Sequence, residues 1–137
     1  MKYLYHLITK YPISIVMILL IWIVCLIPIP ETPLNNVKFI DKWTHITMYG
    51  VLCIIIWVEY THQHHVVEKA KLLIGGILLP TLMGGLIEIV QAYCTGGRRR
   101  GEWLDFAADS IGVLVGLIIG ILLVTILSKH RKDNTAN

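Results

Sequence analysis

Residues 72–93 read LLIGGILLPTLMGGLIEIVQAY, an apolar run long enough to cross a bilayer, with Glu88 and Gln91 near its end. These two polar residues are one helical turn apart. Ionisable groups at membrane depth are costly, and they normally face a bundle interior or a wet cavity. The run therefore predicts a membrane-spanning helix in which Glu88 marks a site.

The composition of the whole chain is that of a membrane protein. Of its 137 residues, 55% are hydrophobic and only 15% are charged, and the mean hydropathy is +0.68. Soluble domains average about 25% charged residues. Four stretches are long enough to cross a bilayer, at about 12–29, 44–60, 72–93 and 106–127. The rest forms only short loops and tails, so we predict one all-α domain over residues 1–137, an integral-membrane four-helix bundle.

The basic residues predict the orientation of this bundle, because four spans place both termini on one side. Seven basic residues lie on the side of the termini: Lys2, Lys10, Lys69, Lys71, Lys129, Arg131 and Lys132. Five lie on the opposite side: Lys38, Lys42, Arg98, Arg99 and Arg100. By the positive-inside rule, this difference places both termini in the cytoplasm.

An even number of spans also brings the first and third loops to the same membrane surface, where their polar residues can meet. On the second span, Asp41, His45 and Tyr49 follow one another at i, i+4, with Lys42 one turn before His45. On the fourth span, polar and small residues recur at spacings of three or four: Glu102, Asp105, Asp109, Gly112 and Gly116. Glycines at this spacing let a neighbouring helix approach closely, within the chain or in a homo-oligomer.

These polar residues predict a recessed, outward-facing pocket that binds a charged headgroup. We expect Arg99 to bind an anion, because its planar guanidinium matches phosphate or carboxylate. The other predicted ligand-binding residues orient the headgroup or line the pocket: Lys42, His45, Tyr49, Glu88, Gln91, Glu102, Asp105 and Asp109. Expected partners are membrane lipids or lipid-linked envelope precursors. Nucleic acid is not expected, since no basic patch is interleaved with aromatic residues.

Three alternatives use the same residues. An intramembrane enzyme would use His45, Glu88 and Asp105 for acid and base chemistry on a lipid headgroup. A structural or assembly subunit would use Glu88, paired with Arg99 or Lys42, only to lock its helices together. No cofactor is expected, but His45, Glu88 and the two aspartates are also a set that could hold a divalent cation.

The tryptophans near the predicted span ends are expected to lie in the aromatic belt of the membrane interface. They are Trp43, Trp57 and Trp103.

The ordered set of motifs resembles the VanZ-like family of small bacterial membrane proteins. The matching residues are Lys42-x-x-His45-x-x-x-Tyr49, Glu88-x-x-Gln91, and Arg99-x-x-Glu102-x-x-Asp105 with Gly112 and Gly116. Asp109 stands where the family pattern has asparagine, so we expect one aspartate of the pair to be protonated or paired with an arginine. The resemblance implies a multi-pass protein of the bacterial inner membrane, in a group named for low-level resistance to the lipid-tailed glycopeptide teicoplanin.

Overall fold

The computed structural model describes residues 2–28, 39–64, 68–97 and 100–135, and the regular structure in these ranges is helical. The helices, in chain order, are α1 (Lys2–Lys10), α2 (Pro12–Leu26), α3 (Ile40–Gln63), α4 (Lys69–Leu73), α5 (Leu79–Cys94) and α6 (Trp103–Thr135). A π-helical segment, Ile74–Leu78, joins α4 to α5 without a break. The all-α prediction is therefore confirmed for the part of the chain that is described.

Three helical stretches are long and apolar enough to cross a membrane: Ile40–Gln63, Ala70–Cys94 and Trp103–Ile126. Many large hydrophobic side chains on these helices are exposed, among them Leu82 and Ile118. A bilayer would cover such surfaces, and a helix satisfies its own backbone hydrogen bonds within it. These helices are those of a multi-pass α-helical membrane protein, and three of the four predicted spans coincide with them.

The first predicted span is shorter than the sequence suggested. Helix α2 has 15 residues and is about 22 Å long at 1.5 Å per residue, less than the hydrocarbon thickness of about 30 Å. It ends at Leu26 because Ile27, with ψ 146°, is already extended, as the residue before a proline prefers. Ser14, Ile21 and Cys25 are its buried residues.

Helices α3 and α6 pack closely because glycines line their contact. A Cβ atom added at Gly116 would lie 2.5 Å from the Gly50 carbonyl oxygen, and one added at Gly120 would lie 2.8 Å from Trp57 Cγ. The two backbones therefore meet directly at Gly116, and at Gly120 the backbone lies against the side chain of Trp57. The glycines predicted on the fourth span are therefore used for packing inside the chain.

The prediction that Trp57 lies in the interfacial aromatic belt is wrong. The Trp57 side chain is 8% exposed and belongs to the core, where a Cβ atom at Gly76 would lie only 2.9 Å from the indole Nε1. The small surfaces of Gly76 and Gly120 leave space for the ring. Trp43 and Trp103 are exposed, as expected of belt residues.

A buried carboxylate, which the sequence analysis did not single out, holds the start of α2. Glu59 of α3 accepts hydrogen bonds from Ile13 N–H at 2.9 Å, from Ser14 N–H at 3.0 Å and from the Ser14 hydroxyl at 2.6 Å. The first N–H groups of a helix have no partner within it, and a negative charge there is favourable. Glu59 therefore fastens α2 to α3.

We expect Glu59→Ala to lower the free energy of unfolding by about 2–3 kcal/mol, because three donors lose a charged acceptor. Thermal unfolding of the detergent-purified protein measures this. The control is Glu68→Ala, which removes an exposed carboxylate 2.7 Å from Lys71 and should change stability by at most about 1 kcal/mol. Equal unfolding temperatures for the two variants would contradict the role given to Glu59.

Candidate functional site

Lys42 forms the centre of an ion-pair cluster between the first turns of α3 and α6. Its Nζ lies 2.5 Å from Asp105 Oδ1, 2.7 Å from Glu102 Oε2 and 3.4 Å from Asp41 Oδ2. Glu102 and Asp105, three residues apart, present their carboxylates on one side of the start of α6. The predicted Glu88–Lys42 pair is wrong: Lys42 lies against the acidic residues of α6 instead.

One to two turns deeper, His45 of α3 and Asp109 of α6 form a fully buried pair. Their atoms Nδ1 and Oδ1 are 2.8 Å apart, and the side chains are 3% and 0% exposed. Gly84 of α5 provides the necessary space, since a Cβ atom there would lie 2.7 Å from Asp109 Oδ2. Asp109 Oδ2 therefore faces the side of α5 that carries Glu88 one turn later.

The expected pairing of one of the two aspartates with an arginine stays a prediction, because Arg98 and Arg99 lie outside the described residues. Asp105 is paired with Lys42, and Asp109 with His45. Arg100 is exposed. Lys42 and His45 are one turn apart on α3, so they meet aspartates that are one turn apart on α6.

Glu88 lies at the junction of α5 and the start of α6. Its Oε2 accepts a 2.7 Å hydrogen bond from the Glu102 N–H, one of the amides that precede the first full turn of α6. Its side chain is buried, and its Oε1 has no hydrogen-bond partner among the residues that the structure describes. The Glu88 Oε1 atom can therefore accept a hydrogen bond or bind a cation.

Tyr49 and Gln91 lie in the core around this carboxylate. Gln91 Nε2 donates a 2.8 Å hydrogen bond to the Cys25 carbonyl, which ties α5 to the end of α2. Tyr49 is fully buried, and its hydroxyl makes no hydrogen bond within the described part of the chain. Gln91 thus has a packing role, whereas the Tyr49 hydroxyl keeps its hydrogen-bonding capacity.

Two groups of side chains come close enough to share a ligand. His45, Glu88 and Asp109, all buried, offer ligand atoms that lie within 4.8 Å of one another, and so do Asp41, His45 and Asp105. The predicted convergence of the polar residues of three helices is therefore found in the structure. Arg99, the predicted anion-binding residue, lies outside the described residues.

Glu88 also lines a groove between the end of α5 and the start of α6. The volume of the groove is about 380 Å³, and Glu88 and Glu102 are the charged residues among its described lining. The other walls are apolar and aromatic, formed chiefly by Tyr93, Trp103 and Phe106. The rings of Trp103 and Phe106 meet edge to face, with centroids 6.2 Å apart.

The sequence analysis missed these aromatic residues as part of the site. One signal was present, because Trp103 and Phe106 are three residues apart and alternate with the acidic positions Glu102 and Asp105. The helical spacing alone did not show that their side of α6 would face α5.

Comparison of the chain with protein-family models, with curated proteins and with solved structures finds no match.

Proposed function

We propose that this chain is a four-span protein of the bacterial inner membrane that binds the headgroup of an envelope lipid or a lipid-linked glycan. The observation that carries the proposal is the buried, partly unsatisfied carboxylate of Glu88. Glu88 is buried and lines a groove between two helices, and one oxygen of its carboxylate has no partner among the described residues. A polar group kept unpaired in an apolar setting is costly unless a ligand completes it.

The shape and walls of the groove suit a lipid. It opens between two helices that are long and apolar enough to cross a membrane, so a lipid could enter from the bilayer without leaving it. The aromatic walls would contact the acyl or glycerol region, as Tyr and Trp do at membrane interfaces. The headgroup would then reach Glu88.

The charges indicate which headgroup chemistry fits. Five carboxylates surround one lysine and one histidine: Asp41, Glu88, Glu102, Asp105 and Asp109. An acidic pocket favours amine and hydroxyl groups, which donate hydrogen bonds to carboxylates. Arg99 and the exposed Arg100, at the adjoining loop, would bind the phosphate that links headgroup to lipid.

The contacts of α2 support the fourth span of the proposed topology. Its first turn is held by Glu59, near the end of α3, and its last turn by Gln91, near the end of α5. Helix α2 therefore runs alongside the spanning helices over most of their length. The excess of basic residues on the side of the termini supports a cytoplasmic location for both.

The resemblance to VanZ-like proteins adds a phenotype to this proposal. A protein that binds envelope lipids or their precursors would be placed to alter susceptibility to teicoplanin, which carries a lipid tail. This part of the proposal depends on the resemblance alone.

The buried His45–Asp109 pair favours one alternative, an intramembrane enzyme. A carboxylate bonded to one ring nitrogen orients the imidazole, and Glu88 lies within reach as a second acid or base. Such an enzyme would hydrolyse or transfer the headgroup that the pocket binds.

The test is retention of lipid by purified protein in nanodiscs made from phosphatidylethanolamine, phosphatidylglycerol and undecaprenyl phosphate, read by native mass spectrometry. We expect the wild type to retain one lipid class. Glu88→Gln should weaken retention at least about tenfold, equivalent to about 1.4 kcal/mol, because a neutral amide loses the charge that attracts an amine. Glu68→Gln, an exposed control, should retain lipid as the wild type does.

Each outcome has a distinct meaning. Equal retention by Glu88→Gln and the wild type, at equal folded amounts, would overturn the binding proposal. Appearance of free headgroup or altered lipid mass would favour the enzyme. A loss of folded protein in Glu88→Gln without any lipid retained by the wild type would favour a structural or assembly subunit.

A further inference from the structure

We propose that His45, Glu88 and Asp109 bind one divalent cation of the Mn²⁺ or Zn²⁺ class inside the helix bundle. The inference goes beyond the proposed function: it places a metal ion, in place of a headgroup amine, on the free oxygen of Glu88, and binding of the ion alone can be measured. It is carried by the geometry of the three side chains, by their unsatisfied oxygens and by the charge around them.

The geometry is close to that of a metal site. The three ligand atoms lie within 4.8 Å of one another. Two ligands of one ion with bonds of about 2.0–2.2 Å can be at most about 4.4 Å apart, so small side-chain movements suffice. The residues come from α3, α5 and α6, and an ion would join all three helices.

The unsatisfied oxygens point to a ligand independently of this spacing. Glu88 Oε1 and Asp109 Oδ2 are both buried and without a hydrogen-bond partner in the ranges described, and their side chains are 8% and 0% exposed. Asp109 Oδ2 faces α5, on the side where Glu88 follows Gly84 by one turn. Buried polar atoms of this kind are normally satisfied.

The described residues around the cluster also leave one of its carboxylates without a cation. Lys42 is already shared by Asp41, Glu102 and Asp105. Among the described residues, only His45 then remains near Glu88 and Asp109, and a single imidazolium can balance just one of these two carboxylates. A divalent cation with a neutral imidazole would balance both, which membrane burial makes valuable.

The chemistry of the donors indicates the class of ion. Mg²⁺ and Ca²⁺ prefer oxygen ligands alone, whereas one imidazole nitrogen with two carboxylates suits Zn²⁺ or Mn²⁺. Nδ1 is the ring nitrogen that faces Asp109, 2.8 Å from its Oδ1, so the ion would take the place of this hydrogen bond and bind a neutral imidazole together with both carboxylates.

The experiment titrates the full-length protein, purified in detergent without chelator or nickel resin, with Mn²⁺. Free aqueous Mn²⁺ is followed by electron paramagnetic resonance. We expect one saturable site per chain, displaced by Zn²⁺. Glu88→Gln and Asp109→Asn should each weaken Mn²⁺ binding at least about tenfold, since each removes a charged ligand.

Control variants show whether the ion binds to His45, Glu88 and Asp109 or to the neighbouring group of Asp41, His45 and Asp105. Asp109→Asn keeps an oxygen that can accept the hydrogen bond from His45, so the fold should be retained, and size-exclusion profiles check this. Glu68→Gln should bind Mn²⁺ like the wild type. The proposal is overturned if folded wild type shows no saturable binding of Mn²⁺ or Zn²⁺. It is also overturned if Asp41→Asn abolishes binding while Glu88→Gln does not, because the ion would then lie on Asp41, His45 and Asp105.

Discussion

Gly116→Ala is expected to lower the free energy of unfolding by about 2–3 kcal/mol, the upper part of the range for overpacking a well-packed contact. The added methyl group would lie 2.5 Å from the Gly50 carbonyl oxygen and 2.6 Å from Cys53 Cβ. One of these neighbours is a backbone atom, which cannot rotate away. The two helices must therefore separate, and this outweighs the gain of about 1 kcal/mol that alanine brings to a helix interior.

Gly75→Ala is the matched control, because a Cβ atom at Gly75 meets nothing within 4 Å. It should leave stability unchanged or raise it by up to about 1 kcal/mol. Unfolding of the detergent-purified variants with increasing sodium dodecyl sulfate, followed by tryptophan fluorescence, measures both. The free energy of unfolding should therefore fall in Gly116→Ala and should not fall in Gly75→Ala. If Gly116→Ala were as stable as Gly75→Ala, the close contact between α3 and α6 would be wrong.

The sequence predicted the helices well where length and apolar composition decide the structure. The spans around Glu88, His45 and Asp109 are helices, because an apolar run of about 20 residues has few other stable forms in a membrane. The π-helical segment Ile74–Leu78 was not predicted. There the Leu79 N–H donates to the Ile74 carbonyl five residues earlier, a local change without a strong sequence signal.

The composition of the site was predictable, but its pairing was not. Helical spacing showed that His45 and Asp109 belong to polar stripes, and topology showed that these stripes could meet. Which acid Lys42 would bind depends on the relative height and rotation of α3 and α6, and the contacts of Gly50 with Gly112 and Gly116 set these. Side-chain spacing within one helix carries no such information.

Glu59 shows a further limit of the sequence pattern. It lies within an apolar run, as Glu88 does, and by the same rule would mark a site. Its three donors in α2 satisfy it completely, whereas one oxygen of Glu88 has no partner in the described structure. Only the tertiary contacts distinguish a carboxylate that joins helices from one that can bind a ligand.

Lys42→Met is expected to lower the free energy of unfolding by about 3–4 kcal/mol, because it leaves Asp105 buried without a cation. The Asp105 side chain is 6% exposed and that of Lys42 18%. Asp105→Asn removes the uncompensated charge, so the double variant should be more stable than Lys42→Met alone. A double-mutant cycle should give a coupling free energy of about 1.5–3 kcal/mol between the two residues.

Lys71→Met tests whether the burial of Lys42 and Asp105 causes the large loss of stability expected for Lys42→Met. Lys71 and Glu68 form an ion pair at 2.7 Å whose side chains are 63% and 53% exposed, compared with 18% and 6% for Lys42 and Asp105. Removing such an exposed pair should cost at most about 1 kcal/mol. If Lys42→Met costs no more than Lys71→Met, and the Lys42–Asp105 cycle shows no coupling, the cluster does not hold α3 to α6. Lys42 would then be available to a ligand, and the phosphate of a bound lipid would be the natural partner for it.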